Sequence, residues 1–216
     1  MVSEEKRNQE AKAEILKRIR DAQQLSGTPA DVEIPRNYRQ TSDMGRDELR
    51  ELLVDRLVDY RADVATCSSD DLPATLGRVL GERKVSTVRY AEGLDKALFA
   101  EVDATCEPDS RDSDPHALNE VDAVVTDSHV SAAQTGTICL QSNPTNGRRA
   151  LTLVPDRHVC IVHMDTVVYG VPEMVARLDP ELPVTMISGP SATSDIELAR
   201  VEGVHGPRDL AVIIVD

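Results

Sequence analysis

"TICLQSNPTNGRRALTLVPDRHVCIVH", residues 137–163, decides what kind of sheet this chain builds. Three apolar runs, "TICLQS", "RALTLVP" and "RHVCIVH", follow one another with only "NPTNG" and a Pro-Asp step between them. Runs this close leave no room for a crossover helix, so the spacing predicts antiparallel neighbours. Elsewhere the rhythm is different. "DVATCS" reads as a strand, "SDDLPATLGRVLGE" as a helix with Leu72, Leu76, Val79 and Leu80 on one side, and "KVSTVRY" as a strand again. Asp114-Pro115 supplies a cap and a first-turn proline for a further helix, and "VDAVVT" follows as a buried strand. Strands alternating with helices imply crossover connections and a parallel sheet. The fold class expected is therefore α/β, with a mixed, mainly parallel sheet flanked by helices and antiparallel pairing at one side.

Working outward, residues 1–42 read as an N-terminal helix and an extended linker, and residues 43–216 as the α/β domain. Ala11, Ile15, Ile19 and Ala22 form a narrow apolar stripe on a charged helix over residues 4–25, and Gly27, Pro29 and Pro35 break the pattern after it. Asp43 is the expected cap of the next helix, whose apolar positions are Leu49, Leu52, Leu53, Leu57 and Tyr60.

Composition narrows the function classes. The 216 residues carry 24 Lys+Arg against 38 Asp+Glu, a formal charge of −14, which repels phosphate backbones and anionic lipid heads. With four Tyr, one Phe and no Trp, the chain lacks the aromatic platform on which single-stranded nucleic acid stacks. No apolar run is long enough to span a bilayer, and the charged N-terminus has no signal-peptide core, so the expectation is a cytoplasmic protein with no nucleic-acid partner and no membrane insertion. Cys67, Cys106, Cys139 and Cys160 are too widely spaced for a metal-cluster motif and read as reduced thiols on strands, leaving no metal site and no cofactor in this chain.

Candidate chemistry gathers at three turns. In "ISGPSATSDIE", residues 187–197, Ser194 and Glu197 fit a capping box. Ser188, Gly189, Ser191 and Thr193 offer hydroxyls and a flexible backbone upstream of it, which could hold a carboxylate or phosphate. Asp195 argues for a cation or hydroxyl ligand instead, because its carboxylate already answers the helix dipole. "PVTMIS", which leads into this turn, reads as a parallel strand, so the turn is expected beyond a carboxyl end, where ligands of open α/β sheets gather. The second turn is Thr135-Gly136-Thr137, either an ordinary turn or an anion nest. The third is "GVHGPRDLAVIIVD", where Gly203 and Gly206 bracket His205 and Arg208 precedes the last strand. His158, Asp195 and His205 are the candidate proton carriers, and Asp127 and His129 lie beyond a strand end as candidates for the same cleft. There is no nucleophile elbow, P-loop or dinucleotide fingerprint.

Together, "AAQTGTICL", "RRALTLVPDRHVCIVH", "ISGPSATSDIE" and "GVHGPRDLAVIIVD" resemble the LUD-domain family, in particular its lactate-utilisation protein C group. The resemblance covers residues 37–216 and is strongest after residue 121. It implies a LUD-type domain over residues 43–216, similar to the ribose-phosphate isomerase, glucosamine-phosphate deaminase and CoA-transferase superfamily. It also implies an accessory part in the oxidation of L-lactate to pyruvate, beside partner subunits that carry the iron–sulfur clusters. Gln134 stands where the family often has an acid, and a neutral amide cannot act there as base or nucleophile. In this reading Thr135, Gly136, Thr137, Ser188, Gly189, Ser191, Thr193 and Arg208 bind a small carboxylate or phosphate. The alternatives are a free-standing enzyme acting on a phosphorylated sugar or CoA ester, and a regulatory module that binds a small acid.

Overall fold

The computed structural model describes residues 4–27, 29, 31–193, 201–202 and 205–216. The chain divides into two compact units, Met1–Arg39 and Gln40–Asp216. The first is built on α1, Glu4–Ser26, in which Arg18 pairs with Glu14 one turn earlier at 2.9 Å and Ile15 and Ile19 are exposed.

The second unit begins with α2, Arg46–Asp59. Its first turn is closed by Glu48, whose carboxylate accepts from the Gly45 amide at 2.8 Å, so the cap lies two residues beyond the expected Asp43. Then come β1 (Asp63–Cys67), α3 (Leu72–Glu82), β2 (Thr87–Tyr90), β3 (Thr105–Pro108), β4 (Ala123–Asp127), β5 (Val130–Ala132), β6 (Thr137–Gln141), α4 (Arg149–Leu153) and β7 (Arg157–His163). They are followed by β8 (Val167–Val168), α5 (Val171–Ala176), β9 (Val184–Ile187), the short antiparallel pair β10 (Ala192–Thr193) and β11 (Val201–Glu202), and β12 (Asp209–Val215). The Asp114-Pro115 start signal opens a short 3-10 helix, Pro115–Glu120, with the Asp114 carboxylate accepting from the His116 amide at 2.9 Å.

The α/β class and the parallel sheet with flanking helices are present, but the mixed pairing occupies a sheet of its own. Six strands in the order β1-β12-β7-β4-β2-β3 are all parallel. A second sheet, β8-β5-β6-β9, holds the antiparallel pairs β5·β6 and β6·β9. Two readings of the deciding stretch are thereby corrected. "RHVCIVH" is a central parallel strand, and "RALTLVP" supplies helix α4, which leads from β6 of the small sheet into β7 of the large one. "PVTMIS" is antiparallel to β6, with Ile187 opposite Ile138.

Packing explains the two sheets. β7 and β12 are buried along nearly their whole length, as parallel strands covered on both faces must be. On one face Val159, Ile161, Ala211 and Ile213 meet Leu72, Leu76, Val79 and Leu80 of α3. Each of the Val, Leu and Ile side chains contributes roughly 1.5–3 kcal/mol on burial. On the other face Cys160, Val162, Leu210, Val212 and Ile214 meet Leu53 and Leu57 of α2 together with Ile138 and Leu140 of β6. Cys139, one residue out of phase, points to the far side of the small sheet, where Met174 of α5 covers it.

Two glycines of α3 separate propensity from packing. A methyl at Gly81 meets nothing within 4 Å, whereas one at Gly77 would stand 2.4 Å from the Glu101 carbonyl oxygen. Urea denaturation should show Gly81→Ala stabilising by about 0.5–1 kcal/mol through helix propensity, and Gly77→Ala destabilising by about 1–3 kcal/mol through the clash. The same sign for both would refute this account of how α3 is seated.

Candidate functional site

The turns singled out from sequence do meet, along a strand pair. Because β6 and β9 run antiparallel, Thr137 at the start of β6 lies beside Ser188 just after β9. Thr135 Oγ1 donates to Thr137 Oγ1 at 2.8 Å, and Thr137 Oγ1 is 2.8 Å from Ser188 Oγ. With Thr135 as donor, the Thr137 proton is available to Ser188 and the Ser188 proton to whatever lies beyond it.

Gly136 and Gly189 have φ of 60° and 83°, as the two bends require. A Cβ at Gly136 would stand 2.9 Å from Arg56 Cβ, and one at Gly189 2.6 Å from the Tyr60 carbonyl oxygen. Both bends are therefore pressed against the end of α2, and close approach is what demands glycine there.

Ser188, Gly189 and Ser191 face a cavity of about 250 Å³, whose other walls include Thr152 and Leu153 of α4, His158, Ile187, His205 and Leu210. It lies at the amino ends of β7 and β12, where His158 and Leu210 are paired in register. The expected position beyond the carboxyl ends is thus corrected, because β9 runs against the direction it was assigned. Ser191 ties the cavity rim together. Its amide donates to the Pro207 carbonyl at 2.7 Å, and its Oγ accepts from the His205 amide at 3.1 Å.

His158 is 2 % exposed and lies 2.8 Å, through Nε2, from Thr126 Oγ1, which also approaches Cys160 Sγ at 3.9 Å. Burial holds the imidazole neutral, lowering its pKa to about 4, and pushes the Cys160 thiol well above its ordinary value. A neutral ring at the cavity wall can donate or accept a hydrogen bond but offers no charge.

The other candidates are distributed differently. Arg208 forms a bidentate pair with Asp156 at 2.6 and 2.8 Å, outside the cavity. It lines an adjoining groove with Arg149, Asp156 and His205. Thr193 lies in β10, and Asp195, Ser194 and Glu197 lie outside the described residues. Gln134 is exposed, its backbone N–H donating to the Tyr169 carbonyl at 2.8 Å. Asp127 and His129 belong to the carboxyl end of the sheet and not to this cleft. His163, at that end of β7, is five residues from His158, or about 16 Å along an extended strand. There the Asp127 carboxylate lies 3.8 Å from His163 Nε2, and burial raises its pKa. His129 Nε2 is 3.0 Å from the Arg177 carbonyl. A second cavity of about 280 Å³ beyond β2 and β3 is lined by Asp109, Arg111, Asn143 and Arg148. Its Arg148 is already engaged by Asp109 at 2.7 and 3.1 Å.

Sequence reading missed Thr126 and Arg149. Thr126 was legible as the polar residue closing an apolar strand, but Arg149 lay within what reads as a strand. Among the described residues, no three His, Cys, Asp or Glu side chains gather as metal ligands, and no helix is long and apolar enough to cross a membrane. All four cysteines are free and lie on strands.

These features define a two-sheet α/β protein with a hydroxyl-edged cavity between its layers. The chain belongs to the LUD domain family, whose model matches residues 2–215 and so includes the N-terminal helix. It is 39% identical over 214 residues to lactate utilization protein C of Deinococcus radiodurans, covering 95% of this chain and 96% of that protein. Lactate utilization protein C of Oceanobacillus iheyensis is 25% identical over 198 residues, covering 83% and 84% of the two chains. Among solved structures, a DUF162 family protein from Deinococcus radiodurans superposes with a TM-score of 0.66 at 32% identity, covering 80% of this chain and 99% of that one.

His158 makes a signed prediction. Folded and unfolded chains are both neutral at this residue above pH 6.5. As pH falls toward 4 the unfolded chain takes up a proton that the folded chain refuses, and the resulting loss reaches about 3 kcal/mol. Urea titrations at pH 7 and pH 4 should show His158→Gln losing less stability than wild type over that interval, by about that amount. Equal losses would mean that the imidazole is not buried neutral.

Proposed function

We propose that this protein is a cytoplasmic accessory protein of L-lactate utilisation that supports oxidation of lactate to pyruvate beside iron–sulfur partner subunits. The observation that carries the reading is the end-to-end likeness to proteins named for lactate utilization, 39% identical across 95% of this chain in one case. The partners would hold the clusters and move the electrons. This chain would contribute a site for a small organic acid or phosphate, in which Thr135, Thr137 and Ser188 form a run of hydroxyls, Ser191 fixes the rim and His158 supplies a neutral hydrogen-bonding wall. His158 suits ligand orientation better than proton transfer near pH 7, since its buried ring resists protonation. His205 stands exposed at the cavity mouth and is the better placed of the two for exchange with solvent.

Deletion of the gene tests the reading directly. Growth on L-lactate should fail while growth on pyruvate continues, and the wild-type gene should restore it. A strain that grows on lactate at the parental rate after deletion would end the proposal. A Ser188→Ala variant, whose hydroxyl faces the cavity, should restore growth less well than wild type while folding normally by circular dichroism.

A further inference from the structure

The cavity and the groove beside it differ in charge. Among the described residues, the walls of the 250 Å³ cavity carry hydroxyls, apolar side chains, the neutral His158 and, at the mouth, His205, with no Lys, Arg, Asp or Glu. The adjoining groove shares Leu153, His205 and Gly206 with it and holds the cations. Arg208 there is matched by Asp156, whereas Arg149 is exposed and makes no ion pair among the described residues.

A three-carbon acid cannot use both compartments. With its carboxylate inside, it would meet hydroxyls and imidazoles but no Lys or Arg. With its carboxylate at Arg149, it would leave the hydroxyl-edged cavity unfilled. A ligand that satisfies both must be longer, with hydrogen-bonding and apolar parts inside and the charge outside.

We propose that the ligand of this site is an elongated organic anion, whose uncharged, hydroxyl-bearing body fills the cavity at Ser188, Ser191 and His158 and whose carboxylate or phosphate docks in the groove on Arg149. This rests on the reading of the cavity as the binding site and sharpens it, since lactate itself is then too short. Leu210 lines the cavity, Leu153 lines both cavity and groove along the path of an apolar stem, and His205, shared by the two, stands where body and anion join. The guanidinium of Arg149 can grip a carboxylate or a phosphate through paired N–H donors.

Thermal-shift and calorimetric titration of the full chain should use four compounds, L-lactate, 1,6-hexanediol, 6-hydroxyhexanoate and 6-hydroxyhexyl phosphate, because a ligand that binds the folded state raises the melting temperature. At equal concentration 6-hydroxyhexanoate, 6-hydroxyhexyl phosphate or both should raise it more than lactate or the diol, and the stronger of the two identifies the anion. Arg149→Gln should weaken that binding about tenfold, whereas Arg111→Gln, in the other cavity, should leave it unchanged. A lactate shift equal to or larger than that of the longer anions overturns the inference but leaves a small-acid site standing. A shift that survives Arg149→Gln, or the absence of any shift with the long anions, also overturns it. Failure of the lactate-utilisation reading appears separately, as normal growth of the deletion strain.

Discussion

The apolar layer between the two sheets governs everything else in the domain. Cys160, Val162, Leu210, Val212 and Ile214 on the large sheet, Ile138 and Leu140 on the small one, and Leu53 and Leu57 from α2 share it. A parallel sheet buried on both faces needs a cover for each. Here α3 supplies one cover, and α2 with the small sheet supplies the other. Because β6 must present Ile138 and Leu140 to this layer, its starting residue Thr137 is fixed at the layer's edge. Because β9 pairs antiparallel to β6, Ser188 arrives beside it. The hydroxyl run is thus a by-product of how the core is closed.

The same layer sets the electrostatics of the site. His158 and Thr126 are polar groups on strands whose neighbours are apolar, and their mutual hydrogen bond offsets the cost of burying them. Burial keeps the imidazole uncharged, and the guanidinium of Arg149 lies outside the layer, in the groove at α4. The helix that provides Arg149 also leads from the small sheet into β7, which links the connection between the two sheets to the position of that cation.

Much of the architecture was legible in periodicity. The α3 face, the buried strands "VDAVVT" and "LAVIIV", and the Asp114-Pro115 start each follow from patterns confined to a few residues. The errors fell where local pattern leaves two states open. "RALTLVP" has the apolar content of a strand, yet five of its residues form a helix turn, since a short apolar run does not by itself separate the two. "PVTMIS" was recognisable as a strand, but nothing within a strand encodes the direction of its neighbour. The cap of α2 moved to Gly45 because Glu48, three residues on, closes the turn without a hydroxyl or carboxylate at the cap itself.

For the site, the sequence by itself determined the inventory: the Thr-Gly-Thr and Ser-Gly-Pro-Ser turns, a histidine ahead of an apolar strand, an acidic surface and no stacking aromatics. Those are properties of composition and short spacing, which the chain carries whether folded or not. Only the tertiary structure decided that Thr137 touches Ser188 across 51 residues, that Gly136 and Gly189 are needed where α2 presses on the backbone, and that Arg208 is turned toward Asp156. Partnership between distant residues depends on which faces are buried together, and that is settled when the two sheets close over a common core.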